Sequence, residues 1–426
     1  AQTAFWLMTS ATFSAGASAF FVAPKQKGAI EMLYSLALVF LLGMLLGKAS
    51  QKLGLPPLFG MLLAGILLGP SVFDLLSPSL SAVSADLRKV ALLIILARAG
   101  LNLDVGELRQ VGRPAFLMCF LPATCEIVGM ILLTPPVLGL SLLESALLGA
   151  VIAAVSPAVV VPKMLSLLEK GWGKNYHIPQ LVMAGASADD VYVIVLFSVF
   201  SDLCATGHFS PLDLLRIPTS IVLGCLAGLL LGKILARFCQ KWNLLPVRRL
   251  LLALSCAFLL SSAEDLFTGF IGFSGLLAVM AMGVSWRHAS PKTSLSLSGQ
   301  LSLLWSGAEI LLFVLVGAQV DVSYAFQAGP MAVLLLLGVL LFRMMGVGLS
   351  LLKTPLNKKE RLFCALAYTP KATVQAAISS VPLAMGLPCG ELVLTVAVLA
   401  ILITAPLGAF AIDRTFPRLL QSPEEN

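Results

Sequence analysis

Apolar residues in this chain come in runs of about twenty, separated by short polar connections, with neither the two-residue alternation of strands nor the one-sided stripe of a soluble helix. Runs of that length match a hydrocarbon core of roughly 30 Å at about 1.5 Å per helical residue. They predict a weak helix at Phe5–Ala23 and thirteen more: Ala29–Gly47, Pro57–Leu68, Asp86–Leu103, Pro114–Leu133, Ser145–Leu168, Ile178–Phe200, Ile217–Ala236, Arg249–Ser262, Gly269–Trp286, Leu301–Val320, Pro330–Leu352, Leu362–Leu383 and Leu392–Ala411. The predicted architecture is an all-α polytopic membrane protein of about fourteen transmembrane helices, Pro57–Leu68 being short. Phe5–Ala23 is rich in Ser, Thr, Ala and Gly, residues that suit helix packing better than lipid contact. With no basic stretch before it, it reads as a membrane helix and not as a cleaved signal peptide. The polar tract Gln421–Asn426 is expected to be disordered.

Loop charge tests the count. With a cytoplasmic N-terminus, the inner side holds Lys48, Lys52, Arg109, Arg113, Lys170, Lys174, Arg237, Lys241, Arg248, Arg249, Arg287, Lys292, Lys353, Lys358, Lys359, Arg361, Arg414 and Arg418. The outer loops and helix ends hold Lys25, Lys27, Arg88, Lys89 and Arg216. Eighteen against five is a strong positive-inside bias, which one missed or invented helix would scramble. Both termini are therefore expected in the cytoplasm.

Setting the first helix aside leaves thirteen, which divide into six, a linker and six. Two such halves must be inserted in opposite senses, the inverted-repeat plan of secondary transporters. Each half carries a marker in its fifth helix: Val155-Ser156-Pro157-Ala158-Val159-Val160-Val161-Pro162 in the first, Tyr368-Thr369-Pro370-Lys371-Ala372-Thr373-Val374-Gln375 in the second. A proline at mid-membrane interrupts the hydrogen-bond ladder, and broken backbone at that depth survives only where it lines a cavity or is buried in protein. Two broken helices in matching positions mark the expected substrate site.

The helix after the first break carries Ala188-Asp189-Asp190 in an otherwise apolar setting. A charge at the bilayer centre costs roughly 2.5–3.5 kcal/mol even on the lenient insertion scale, so a pair here implies a polar cavity and a function. Neighbours on a helix point about 100° apart, so the two carboxylates have different partners. Two acids close together in an apolar setting resist double ionisation, which favours proton uptake by one of them. A site that holds either a hard cation or a proton couples opposite fluxes by competition alone. Oxygen ligands for the cation are available from the Ser156 and Thr373 hydroxyls and from carbonyls of the broken helices.

Four further charges lie deep in apolar runs. Lys371 at the second break can neutralise the free carbonyl end of a half-helix, with direct contact to Asp189 as the rival role. Glu126 and Arg343 each lie one helix before the broken helix of their half, and a mutual ion pair is the natural arrangement. Glu309 falls in the other part of its half, where a structural or dimer-interface role is expected. His177, His208 and His288 are read as loop residues with no ligand spacing.

Composition agrees: of 426 residues 58% are hydrophobic and 12% charged, which excludes a soluble globule. The net charge of +7 records loop topology and implies no nucleic-acid partner. The eight cysteines fall mostly inside apolar runs and lack zinc or disulfide spacing, so no cofactor or redox chemistry is expected.

The Ala188-Asp189-Asp190 step and the breaks at Ser156-Pro157 and Thr369-Pro370-Lys371-Ala372-Thr373 resemble the cation/proton antiporter superfamily, and most closely the animal sodium/hydrogen exchangers of solute carrier family 9, subfamily B. The resemblance covers Ala29–Ala411, and Phe5–Ala23 fits the additional N-terminal helix of the animal proteins. It implies a sodium (or lithium)/proton antiporter, with Asp190 in the place of the ion-binding aspartate, Asp189 its neighbour, and Arg343 where many bacterial relatives have lysine. It also implies a lipid-embedded homodimer in the plasma membrane or an organellar (endosomal or mitochondrial) membrane, with a core that slides elevator-fashion against a scaffold. The expected division is an extra helix at 1–28, scaffold at 29–111, core at 112–209, a linker helix at 210–242, scaffold at 243–328, core at 329–413 and a cytoplasmic tail at 414–426. Arginine does not give up its proton as a buried lysine can, so the substitution at 343 favours electroneutral one-for-one exchange. A bile-acid-type sodium symporter also uses crossed broken helices, but the adjacent carboxylates with Lys371 at the crossing fit it less well. A gated cation pore would show rings of carboxylates or filter-like carbonyl loops, and an intramembrane aspartyl protease one aspartate on each of two helices. An enzyme is not expected.

Overall fold

A computed structural model describes residues 30–102, 112–173, 175–206, 211–267 and 273–421. The Phe5–Ala23 helix, Lys25, Lys27, Arg109, Lys174, His208 and most of the C-terminal tract lie outside these. The described residues form helices and no strand. In chain order these are α1 Ile30–Lys52, α2 Pro57–Leu68, α3 Pro78–Asn102, α4 Arg113–Met118, α5 Leu121–Leu138, α6 Leu142–Ile152, α7 Pro157–Glu169, α8 Ile178–Thr206, α9 Pro211–Lys241, α10 Pro246–Phe267, α11 Gly275–Ala289, α12 Pro291–Gly317, α13 Val322–Ser350, α14 Lys358–Ala367, α15 Thr373–Ile378, α16 Val381–Ala384 and α17 Gly390–Leu419. By length and composition, eight helical stretches among the described residues can cross a membrane, including Leu142–Glu169 taken across its break. The chain is an integral, multi-pass membrane protein.

Among the described residues each of the thirteen apolar runs from Ala29 onward coincides with helix, and three are interrupted: two at the expected proline breaks, and Pro114–Leu133, which the apolar pattern predicts as a single rod. The Pro114–Leu133 run divides into α4 and α5, because Pro122 has no N–H to continue the ladder from Met118 and Phe120 turns out of helical geometry at φ −139°. The other two are the broken helices α6/α7 and α14/α15/α16. The Asp86–Leu103 run starts eight residues early, at Pro78, since Ser79, Ser81 and Ser84 continue the helix below the apolar part; Arg88, read as a helix-end charge, is buried within it. His288 lies exposed in the last turn of α11 and not in a loop, the helix running on to Ala289 before Ser290-Pro291.

The two broken helices open in the same way. Ser141 and Glu144 exchange side-chain and backbone hydrogen bonds in a capping box at the start of α6, and Asn357 and Glu360 do so at the start of α14. Helices pack in two groups. One comprises α1, α2, α3, α11 and α12, with α9 and α10 laid on α11. The other comprises α4–α8 and α13–α17. In the first group α2 and α12 touch backbone to backbone: a Cβ placed on Gly65 would lie 2.0 Å from the Val314 carbonyl oxygen, and one on Gly317 would lie 2.3 Å from that of Leu62. Only glycine permits this approach. The groups meet where α3 and α12 contact α15, where α2 contacts α17, and where α8 contacts α9 and α11. Both breaks lie in the second group.

Candidate ion site

The site follows from what two prolines remove. In an unbroken helix the Ala153 carbonyl would accept the N–H of residue 157, and the Leu366 carbonyl that of residue 370; both are proline and have none. The orphaned carbonyls take side chains instead. Ala153 O accepts from Arg343 Nη1, and Leu366 O accepts from the Thr369 hydroxyl at 2.8 Å. The remaining groups of the two breaks pair across the crossing. Ser156 N–H donates to Pro370 O at 2.8 Å, Lys371 Nζ donates to Ile152 O at 2.6 Å, and Gln375 Nε2 donates to Ala154 O at 2.6 Å and to Ile152 O at 3.3 Å. Gln375 Oε1 accepts the Ala372 N–H at 2.8 Å, and Lys371 N–H donates to Thr404 Oγ1 on α17 at 3.0 Å.

Four charges are laid over this crossing, all of them buried. Glu126 on α5 accepts from Arg343 Nη1 at 2.7 Å and pairs with Lys371 Nζ at 2.6 Å. Arg343 on α13 also donates from Nη2 to Asp189 Oδ2 at 2.9 Å and from Nε to the Tyr368 carbonyl at 2.5 Å, with its guanidinium carbon 5.5 Å from the centre of the Tyr368 ring. Asp189 Oδ2 accepts in addition the Val155 N–H at 2.9 Å, so α8 is tied directly to the first break. These are charge-assisted bonds in a water-poor setting, among the strongest a protein makes. Removing one partner would strand a buried charge.

Asp190 is the exception. It is 6% exposed, its Oδ1 has no hydrogen-bond partner, and among the described residues no salt bridge reaches it. Two further oxygens of the residues singled out at the breaks are buried and without a hydrogen-bond partner: Asp189 Oδ1 and Ser156 Oγ. Ser156 stands at the N-cap of α7, where a serine hydroxyl ordinarily accepts a backbone N–H, yet it makes no capping bond. Thr373 is buried and opens α15 at the second break. The structure thus brings Glu126, Asp189, Arg343 and Lys371 into one hydrogen-bonded network, with Asp190 adjacent in sequence to Asp189 and Ser156 adjacent to Val155. Lys371 forms an ion pair with Glu126 and donates to the helix-end carbonyl of Ile152. Glu309 lies apart, on α12, within electrostatic reach of Arg98 on α3. His177 is exposed. Sequence reasoning passed over Gln375 and Tyr368; the signal for Gln375 was one amide inside the apolar run Ala372–Ile378, three residues past the break.

These features define a membrane protein with two helices interrupted at a shared crossing and a carboxylate beside it, and the whole fold has counterparts. It superposes on the sodium proton antiporter MjNhaP1 from Methanocaldococcus jannaschii, solved at pH 8, with a TM-score of 0.80 over 91% of this chain and 99% of that one, at 23% sequence identity. Sodium/hydrogen exchanger 9B2 of Mus musculus is 36% identical over 383 residues, covering 87% of this chain and 69% of that protein. Sodium/hydrogen exchanger 9B1 of Homo sapiens is 32% identical over 409 residues, covering 91% and 78%. A family model described as "Sodium/hydrogen exchanger, transmembrane" matches residues 25–416. The chain belongs to the sodium/hydrogen exchanger family, and its likeness to the animal 9B members extends over most of its length.

Proposed function

We propose that the protein exchanges sodium or lithium for protons, one for one, by competition at Asp190. A charge count carries the reading. Glu126 and Asp189 balance Arg343 and Lys371, two against two, within the hydrogen-bonded network. Asp190 is left over, buried and unpaired. The assembly is neutral when Asp190 holds one proton and equally neutral when it holds one monovalent cation, but it carries an uncompensated buried charge when it holds neither. Burying such a charge is costly, so the empty, ionised state crosses the membrane poorly and each passage carries one ligand or the other. Asp189 Oδ1, Asp190 Oδ1 and the Ser156 hydroxyl are hard oxygen ligands suited to a small cation, with Thr373 as a further candidate. The family and the relatives' names support exchange of this kind.

Electroneutrality rests on the same geometry. A second proton per cycle would need a titrating cation beside Asp189. The cation there is Arg343, which stays protonated, while Lys371 is engaged by Glu126 and the Ile152 carbonyl. In the transport cycle the α4–α8 and α13–α17 group acts as the moving core and the α1–α3, α11 and α12 group as the scaffold of a homodimer, an elevator arrangement supported by the separate packing of the two groups. The shared capping boxes and breaks of α6/α7 and α14/α15 support two halves of inverted sense.

The test is purified protein in liposomes enclosing a pH-sensitive dye. Sodium or lithium added outside should move protons, and Asp190→Asn, which neither releases a proton nor balances a cation, should abolish the response while remaining monodisperse in detergent. Asp190→Asn transporting at the unmodified rate would refute the assignment.

A further inference from the structure

At the crossing three side chains occupy carbonyls that a cation could otherwise use, and one of the three is uncharged. At the broken end of α6 three successive carbonyls have lost their helical donors. Ala153 O is taken by Arg343, Ile152 O by Lys371 with Gln375 at longer range, and Ala154 O by Gln375 at 2.6 Å. Arg343 and Lys371 are each held in place by carboxylates. Gln375 is held by the Ala372 N–H at its other end, and it is buried. For Ala154 O, Gln375 is the donor that keeps this carbonyl from other partners, and Ala154 is two residues from Ser156 and one from Val155, whose N–H grips Asp189.

From this we infer that Gln375 is a specificity-determining residue: by occupying the Ala154 carbonyl it withholds a neutral oxygen from the cation and so disfavours potassium. The inference rests on the antiport reading above. A small set of anionic oxygens presents a strong field, which compensates a small cation best for its lost hydration. Neutral carbonyl dipoles, in greater number, suit the larger and more weakly hydrated potassium ion. Releasing Ala154 O would add a neutral dipole to the ligand set, because a buried carbonyl without a donor gains most from any cation that comes within reach. Among the described residues the hydrogen bonds of the Gln375 side chain all go to backbone groups, so it acts on the ion through the carbonyl it withholds.

The experiment compares sodium, lithium and potassium in two variants by cation-driven proton flux in liposomes and by cation-induced thermal stabilisation in detergent. Gln375→Met keeps the length and apolar stem but loses the donor. Its potassium-to-sodium affinity ratio should rise about tenfold over the unmodified protein, the factor that a differential of one hydrogen bond's net size gives. Gln375→Glu keeps the acceptor for Ala372 N–H and can donate to Ala154 O only when protonated, so its ratio should depend on pH and match the unmodified value at low pH. Proton competition affects all three cations alike and cancels in the ratio. Equal loss of affinity or turnover for all cations, with an unchanged ratio in Gln375→Met or a pH-independent ratio in Gln375→Glu, would mean that Gln375 only staples the two breaks, and would overturn the inference. If the unmodified protein moved no protons with any cation, the antiport reading itself would fall.

Discussion

Replacing Glu126 by Gln tests the energetics of the network most directly. The carboxylate meets two cations at once, Arg343 at 2.7 Å and Lys371 at 2.6 Å, and is buried with both of them. The amide has nearly the same shape but no charge. Arg343 and Lys371 are then left with Asp189 as the one remaining counter-charge in the network, so one buried positive charge has no balance. The cost of breaking a buried pair in this way is about 3–5 kcal/mol. At about 2.1 cal/mol/K per residue, 426 residues give an unfolding entropy near 0.9 kcal/mol/K, so the melting temperature should fall by about 3–6 °C. The informative comparison is Glu126→Gln with Lys371→Gln. Removing the second charge restores neutrality, and Gln375 still reaches the Ile152 carbonyl that Lys371 vacates. Thermal unfolding in detergent, followed by tryptophan fluorescence, should place the double variant above the Glu126→Gln single variant, because contacting groups are non-additive. A double variant that melts lower by the sum of the two single losses would show that the charges act independently and that the balance on which the transport argument rests does not exist.

Three further outcomes are expected. In liposomes clamped at several voltages, the sodium/proton equilibrium position should not move; a shift with voltage would mean that a second proton is carried and that Arg343 does not fix the stoichiometry. Deleting Phe5–Ala23 should weaken the proposed dimer more than the fold, and a deletion variant equally dimeric on detergent dilution would contradict a role for that small-residue segment at the protomer contact. Gly65→Val should lower the yield of folded protein sharply, because its Cβ would overlap the Val314 carbonyl oxygen; normal yield and melting temperature would show that α2 and α12 can separate without loss.

Much of the fold could be read from the chain because a membrane imposes one simple rule, length of apolar run, and because prolines announce interruptions. Ser156-Pro157 and Thr369-Pro370 located both breaks, and the Asp189-Asp190 pair stood out against apolar surroundings. Glu126 and Arg343 pair from their depth and from their matching positions one helix before the break of each half. Lys371 illustrates the limit: its task at a helix-end carbonyl was foreseeable from the proline beside it, whereas its contact with Glu126 depends on how α5 packs against the crossing, which no local pattern encodes. Gln375 escaped because an uncharged amide in an apolar run carries no obvious cost until its carbonyl partners are known. The Pro114–Leu133 run reads as one helix although Pro122 stands within it, since hydropathy averages over a break that phenylalanine and leucine fill. The capping boxes at Ser141/Glu144 and Asn357/Glu360 are legible in the residues as Ser-x-x-Glu and Asn-x-x-Glu spacings.

The crossing also bears on how the protein is made. Ile152, Ala153 and Ala154 are synthesised long before the groups that satisfy them: Lys371 follows Ile152 by 219 residues, Arg343 follows Ala153 by 190 and Gln375 follows Ala154 by 221. At about 5–20 residues per second, a lag of 219 residues lasts about 10–40 s. Throughout that interval the nascent first half holds three unmet carbonyls and the Asp189-Asp190 pair in a bilayer that offers them almost nothing. The half-made chain is therefore a natural client for membrane-embedded quality control. Variants at Arg343, Lys371 or Gln375 would prolong this exposed state indefinitely, and their first visible defect would be scarcity of the protein in its membrane.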